Sequence, residues 1–279
     1  APFYAVVVSS LANVALDLWF VAGLGWQVAG AAAATVLSQG AMALFILVYA
    51  HRRYPLLRLS LKEPLFRRED FAQGLRFGLP PALQFSVTAG GNIALQNFMN
   101  GFGSHTVAAI TTAYRVDTIM LLPIINLGSA ISTMVAQSKG AGEPQRARHF
   151  WRTGAVMNLV VSLLLMAVML LFGGKLVALF GVEAEAAAIG RRFFQRISLF
   201  YVFFGLACSM RGTIEGTGRV VYSSAVSIAA LLLRIALSYL LAAPFHNMAI
   251  AYAEGLQWCF MVLCFLPFFL RRDRWAQNS

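Results

Sequence analysis

Apolar runs of about 20 residues, each long enough to cross roughly 30 Å of hydrocarbon as a helix, follow one another along the whole chain. They predict eight helices, at about 2–22, 27–50, 74–100, 106–136, 153–173, 188–213, 218–243 and 247–270. Polar positions inside these runs are few and patterned. In the third, Gln84, Thr88, Asn92, Gln96 and Asn100 recur every four residues on one slowly rotating stripe, with Pro80 and Pro81 at the helix start. Lipid offers no hydrogen-bond partner. The stripe therefore reads either as one wall of a hydrated cavity or as contacts between helices, worth about 0.6 kcal/mol each; five in register favour the wall. In the fourth, Arg115 and Asp117 sit two positions apart, on opposite faces, and cannot pair with each other.

The connections alternate in character. "HRRYPLLRLSLKEPLFRRED" after the second helix, "SKGAGEPQRARHFWR" after the fourth and the tail "RRDRW" are basic, whereas "GLGW", "GFGSH" and "AAPFHN" hold no Lys or Arg. The positive-inside rule then places the basic connections and both ends of this segment in the cytoplasm. "GGKLVALFGVEAEAAAIGRRFFQR", between the fifth and sixth helices, breaks the alternation and reads as an interfacial stretch. The leucines at 56, 57, 59, 61 and 65, mixed with basic residues, fit either a segment lying at the headgroups or a solvated linker.

Composition sharpens this picture. Of the 279 residues, 59% are hydrophobic and 12% charged, against roughly 25% charged in soluble domains; mean hydropathy is +0.70. The fold class is an all-α integral membrane protein embedded in a lipid bilayer. A net charge of +11 would suit nucleic acid, but its placement between apolar runs assigns it to loops, so no nucleic-acid partner is expected. Cys208, Cys259 and Cys264 lie in predicted spans as small packing residues, and the four histidines lack ligand spacing, so no metal site is predicted. No phosphate-cradling motif and no catalytic constellation occurs, which argues against an intramembrane enzyme.

A charge near mid-membrane costs roughly 2.5–3.5 kcal/mol on insertion scales, so each one asks for a purpose. Asp117 falls near the midplane, where it could bind a proton, Na⁺ or a cationic substrate, or pair with Arg234. Arg115 reads as structural, offering its donors to carbonyls or a carboxylate. Asp17 follows Asn13 by four residues, so the two share a face and could coordinate a cation, or Asp17 could be solvated at the outer interface. Glu254, in the middle of the last predicted helix, has the same two readings. Arg211 and Glu215 form an i, i+4 pair expected to be exposed and of small value.

Helices one and two echo helices seven and eight at an offset of about 220 residues: Tyr4 meets Tyr222 and "NVALD" meets "RIALS". "GLPPALQ", "AYRVDTIMLLP", "VAQSKGAGEPQRAR" and "IEGTGRVVYSS", in this order and spacing, resemble the second lobe of the MATE (multidrug and toxic compound extrusion) family. "ANVALDLWFVAGLGWQVAGAAAATVLSQ" is similar to that family's fifth and sixth helices. The resemblance implies helices five to twelve of a twelve-helix protein. Residues 1–50 would end the first six-helix lobe, 51–73 would form a cytoplasmic linker, and 74–279 would form a complete second lobe. On this reading the chain starts inside a longer protein, and its missing N-terminal helices are its partner.

The function so implied is export of amphipathic, often cationic, compounds in exchange for H⁺ or Na⁺ across a bacterial inner membrane, without a cofactor. Two acids of sodium-coupled members are absent, since Thr88 and Phe204 stand at their positions. Substrate and ion-binding candidates are Asp117, Asp17, Asn13, Gln84, Thr88, Asn92, Gln96 and Glu254, with Arg115 and Arg234 as structural charges. The nearest alternative is a lipid-linked oligosaccharide flippase of the same superfamily, whose cavity should be rich in basic residues.

Overall fold

The computed structural model describes residues 2–55 and 67–270. The linker leucines from Leu56 to Leu65 and the tail arginines Arg271, Arg272 and Arg274 lie outside the described residues. All described elements are helical, and the chain divides into two compact units, Ala1–Arg68 and Glu69–Ser279.

The first unit is a helical hairpin. α1 (Pro2–Asp17) widens into a π-helical turn over Leu18–Gly23, and α2 (Gln27–Arg53) runs back beside it. The widened turn brings Phe20 onto Trp26, ring centroids 5.4 Å apart, and Gly30 fits against both because it has no Cβ. Ser9 Oγ donates to the Ser38 carbonyl (2.9 Å), tying the helices together across their seam.

The second unit holds α3 (Arg68–Asn100), α4 (Ser104–Gly140), α5 (Pro144–Ala178), α6 (Ala184–Ile197), α7 (Tyr201–Gly216), α8 (Val220–Leu240), a short α9 (Ala242–Phe245) and α10 (Ala249–Leu270). A single 3₁₀ turn joins α6 to α7, so both belong to one span. Seven helical stretches among the described residues are long and apolar enough to cross a membrane. The eighth, α3, has the length at 33 residues, but its polar stripe and charged first turn dilute its apolar character. The helices overrun the predicted limits at several ends, because apolarity marks only the middle of a helix that continues into polar surroundings. Pro80 and Pro81 lie well inside α3 rather than at its start; proline is tolerated there because neighbouring helices can re-satisfy the freed backbone groups.

α6 is amphipathic: Ala186, Gly190, Phe193, Phe194 and Ile197 are buried, and Arg191 and Arg192 are exposed. That segregation explains how a basic stretch sits in this apolar unit. α7 occupies the middle of the unit and packs on α4, α5 and α10. Its Gly205, Gly212 and Gly216 permit the approach, since a Cβ at these positions would overlap Ser162, the Gly128 carbonyl and the Ser132 carbonyl in turn. Small residues at such spacing let membrane helices pack backbone to backbone, where dispersion supplies the attraction that hydrophobic burial cannot.

Gly212→Ala is therefore expected to destabilise the unit by about 1–3 kcal/mol through overpacking. Thermal unfolding in detergent checks this; an unchanged midpoint would show that the α4–α7 seam yields freely.

Candidate functional site

Two layers of chemistry meet on α4. On its inner face Asp117 is 4% exposed and accepts a hydrogen bond from the Tyr201 hydroxyl of α7. Within electrostatic reach lies an ion pair between α8 and α10, Arg234 Nη2 to Glu254 Oε2 at 3.0 Å. The same Nη2 donates to Tyr114 Oη at 2.7 Å. Arg234 thus pairs with Glu254 and not with Asp117, and Glu254 lies in the second turn of α10 rather than at its middle. Helix packing gathers the groups: Trp258, one turn beyond Glu254, lies 6.1 Å from the Tyr201 ring. The cluster holds two carboxylates against one guanidinium. If all are ionised, one negative charge remains without a side-chain counterion, in a setting where an uncompensated charge is expensive.

The outer face of α4 is different. Ser104, Thr111, Arg115, Thr118, Asn126, Ser129 and Thr133 follow at intervals of three, four, seven or eight residues on one side and are exposed or half-buried. Opposite them Ala113, Ile124, Ile131 and Val135 are fully or almost fully buried. Thr118, Asn126, Ser129 and Thr133 donate to carbonyls four residues back in their own helix. Arg115 is exposed, and among the described residues no hydrogen bond or ion pair reaches it. Within the described residues its side chain is on the face of α4 opposite Asp117. It borders an open cavity of about 640 Å³ together with Asn100, Ser104, Thr111 and Thr112.

The five polar positions on α3 differ in exposure. Each four-residue step advances about 40° around the helix. Gln84 is accordingly buried, Thr88 and Gln96 are half-buried, and Asn92 and Asn100 are exposed. Thr88 Oγ1 donates to the Gln84 carbonyl (2.8 Å), and Gln96 Nε2 to Asn100 Oδ1 (3.3 Å), so two of the five satisfy the stripe itself. Gln84 Oε1 is buried without a partner. Arg211 and Glu215, expected to be exposed, are about two-thirds buried; Glu215 Oε1 accepts from Arg211 Nε (2.7 Å) and from Ser223 Oγ (2.9 Å).

In the first unit, Asn13 Nδ2 and Asp17 Oδ1 are both buried and have no hydrogen-bond partner among the described residues. Asp17 closes α1 where the π-helical turn begins, a local widening often found at functional sites. Neither Tyr201 nor Tyr114 was identified from sequence as part of a site, nor was the outer stripe of α4. Counting polar residues at i, i+3, i+4 and i+7 from Ser104 onward would have found the stripe. The tyrosines carry no pattern of their own, because their role comes from helices distant in sequence.

The MatE family profile matches residues 80–240, more than half of the chain. The chain belongs to the MatE family. YoeA of Bacillus subtilis, named as a probable multidrug resistance protein, is 30% identical over 240 residues, covering 82% of this chain and 51% of YoeA. YpnP of the same organism, with a similar name, is 29% identical over 275 residues, 98% of this chain and 61% of its own length. A solved structure described as the outward-facing conformation of a multidrug resistance MATE family transporter of the MOP superfamily superposes with a TM-score of 0.88 at 19% identity. It covers 99% of this chain and 63% of that protein, and confirms the helical membrane fold. This MatE chain spans between about half and three-fifths of the length of these relatives.

Removing one partner of the Arg234–Glu254 pair should cost about 3–5 kcal/mol, whereas replacing both with apolar residues should recover most of it. Unfolding of Arg234→Met, Glu254→Leu and the double variant in detergent tests this. Two single variants as stable as the parent would mean that the pair is not desolvated.

Proposed function

We propose that the chain is part of a secondary active exporter, which moves amphipathic small molecules out of the cell in exchange for H⁺ or Na⁺ by alternating access. One observation carries the reading. A helix of membrane-spanning length exposes a polar stripe on one side and buries an acid-rich cluster on the other. Such a stripe suits a hydrated route, and such a cluster suits a group that gains and loses a counter-cation. The multidrug resistance names of the relatives support the same class of substrate.

In this reading the two units serve as the end of one six-helix lobe and as the second lobe, with the missing helices supplied by the rest of the protein. Asn13 and Asp17 offer an oxygen-bearing pair whose unmet hydrogen-bonding capacity a cation or proton would meet. Asp117, with Tyr201 and the nearby Glu254, is the second candidate for ion binding. The basic clusters support an orientation with both ends of the segment on the cytoplasmic side of a bacterial plasma membrane. In that orientation Lys139, whose ammonium donates to the Thr217 carbonyl (3.0 Å), and Arg219, above the Phe268 ring, would lie at the cytoplasmic end of the second unit.

The test is flux of a fluorescent amphiphile by the whole protein in liposomes, under an imposed pH or Na⁺ gradient. The gradient should drive transport. Asp17→Asn should slow the driven component by roughly tenfold or more, the equivalent of about 1.4 kcal/mol for one lost charge-assisted contact. Flux indifferent to both gradients and to Asp17→Asn would overturn the exchange mechanism.

A further inference from the structure

We propose that the transported molecule carries an anionic group, a carboxylate or a phosphate, and that Arg115 receives it. The inference rests on the transport reading above and fixes the charge class of the substrate. The hydroxyl and amide groups of the α4 stripe below Arg115 bond back to their own helix. In that state hydroxyls are tolerable even against lipid. Arg115 is not in that position. Its guanidinium has five N–H donors and no acceptor reaches them among the described residues. It stands eleven residues into α4, about 16 Å from the helix start at 1.5 Å per residue. A guanidinium on a helix of membrane-spanning length is costly where neither water nor an acceptor meets it.

Among the described residues of its own unit, none supplies the acceptor. Asp117, two residues away, points to the opposite face and is held by Tyr201, and Glu254 is held by Arg234. The residues bordering the cavity bring no acid: Asn100, Ser104, Thr111 and Thr112 are neutral hydrogen-bonding groups around the one cation. At about 640 Å³ the space falls within the usual range for small-molecule sites, about 300–1,000 Å³. A planar, always-charged fork surrounded by neutral donors and acceptors suits a carboxylate or phosphate, which it can hold through two parallel bonds. It repels an organic cation.

Equilibrium binding to the whole protein in detergent tests this apart from any transport, with carboxyfluorescein as the anionic probe and rhodamine 6G as the cationic one. Carboxyfluorescein should bind, more weakly as salt is raised. Arg115→Gln should weaken it by at least about tenfold without weakening rhodamine 6G, while Arg115→Lys retains part of the affinity. An unchanged melting temperature for Arg115→Gln would exclude misfolding. Equal carboxyfluorescein affinity in Arg115→Gln and the parent would overturn the proposal. So would loss of the Arg115-dependent binding when the protein is moved into nanodiscs rich in phosphatidylglycerol, since a lipid phosphate would then be the group that Arg115 holds. A protein that binds carboxyfluorescein through Arg115 yet shows no gradient-driven flux would retain this inference and remove the exchange mechanism instead.

Discussion

Hydrocarbon accepts no hydrogen bond, so every polar group along these helices must find protein or water. α4 meets the constraint in both ways at once. Its inner face places Asp117 against Tyr201, beside the Arg234–Glu254 pair. Its outer face leaves Arg115 to the open side. Two charges of opposite sign therefore sit within three consecutive residues without neutralising each other. A helix built only for packing would gain by moving one of them into range of the other, for instance four residues apart. Their separation keeps each available to something else.

The division depends on tight packing behind it. α7 presses into α4 and α5 through positions that lack a Cβ, and its Tyr201 reaches Asp117 only because that seam is close. Asn158 of α5 donates to Ser209 Oγ (2.8 Å) along the same contact, so a buried polar bond reinforces the small-residue seam. α8 and α10 are joined by the ion pair rather than by glycine contacts. An acidic surplus inside a rigid frame has few means of relaxation. Its carboxylates are held by Tyr201 and Arg234, and in the exchange reading an incoming ion or proton would supply the charge compensation.

Much of this was legible in the sequence, and the misses share one cause. Periodicity and loop charge identify eight helices, and the motifs around Gly78, Arg115 and Ile214 identify the family. Asp117 stands out because a lone acid interrupts an apolar run. Partners are another matter: Asp117 lies 84 residues from Tyr201, and Arg234 lies 120 from Tyr114. Nothing local in the chain encodes these meetings. The α3 stripe turns about the helix, because a four-residue spacing exceeds the helical repeat, and its positions differ in burial. The mixed spacing on α4 stays on one side, which makes it the better signature of a wetted face. The echo between "NVALD" and "RIALS" gains some physical content too: it aligns Asn13 with Arg234, and each has a buried nitrogen without a partner, Asn13 Nδ2 and Arg234 Nε.

The placement of Arg115 and Asp117 also bears on how two sites on one helix would communicate. An anion held at Arg115 raises the local negative potential, which favours a cation or proton near Asp117 and opposes the bare carboxylate. At an effective dielectric of about 20, two unit charges 10 Å apart still interact by about 1.7 kcal/mol, more than a tenfold change in affinity. For an anionic substrate this coupling is co-operative rather than competitive: substrate and cation would stabilise each other on the same conformer. An exchanger needs the reverse, with one ligand leaving before the other binds. If export of anions is coupled to entry of a cation, the antagonism cannot arise from charge at Arg115 and Asp117 alone. It must come from geometry, such as a bend of α4 at Pro123, which lacks the N–H that would tie it to residue 119. Such a bend would open the outer face as it closes the inner one, and the two charges would then report on a single hinge rather than on each other.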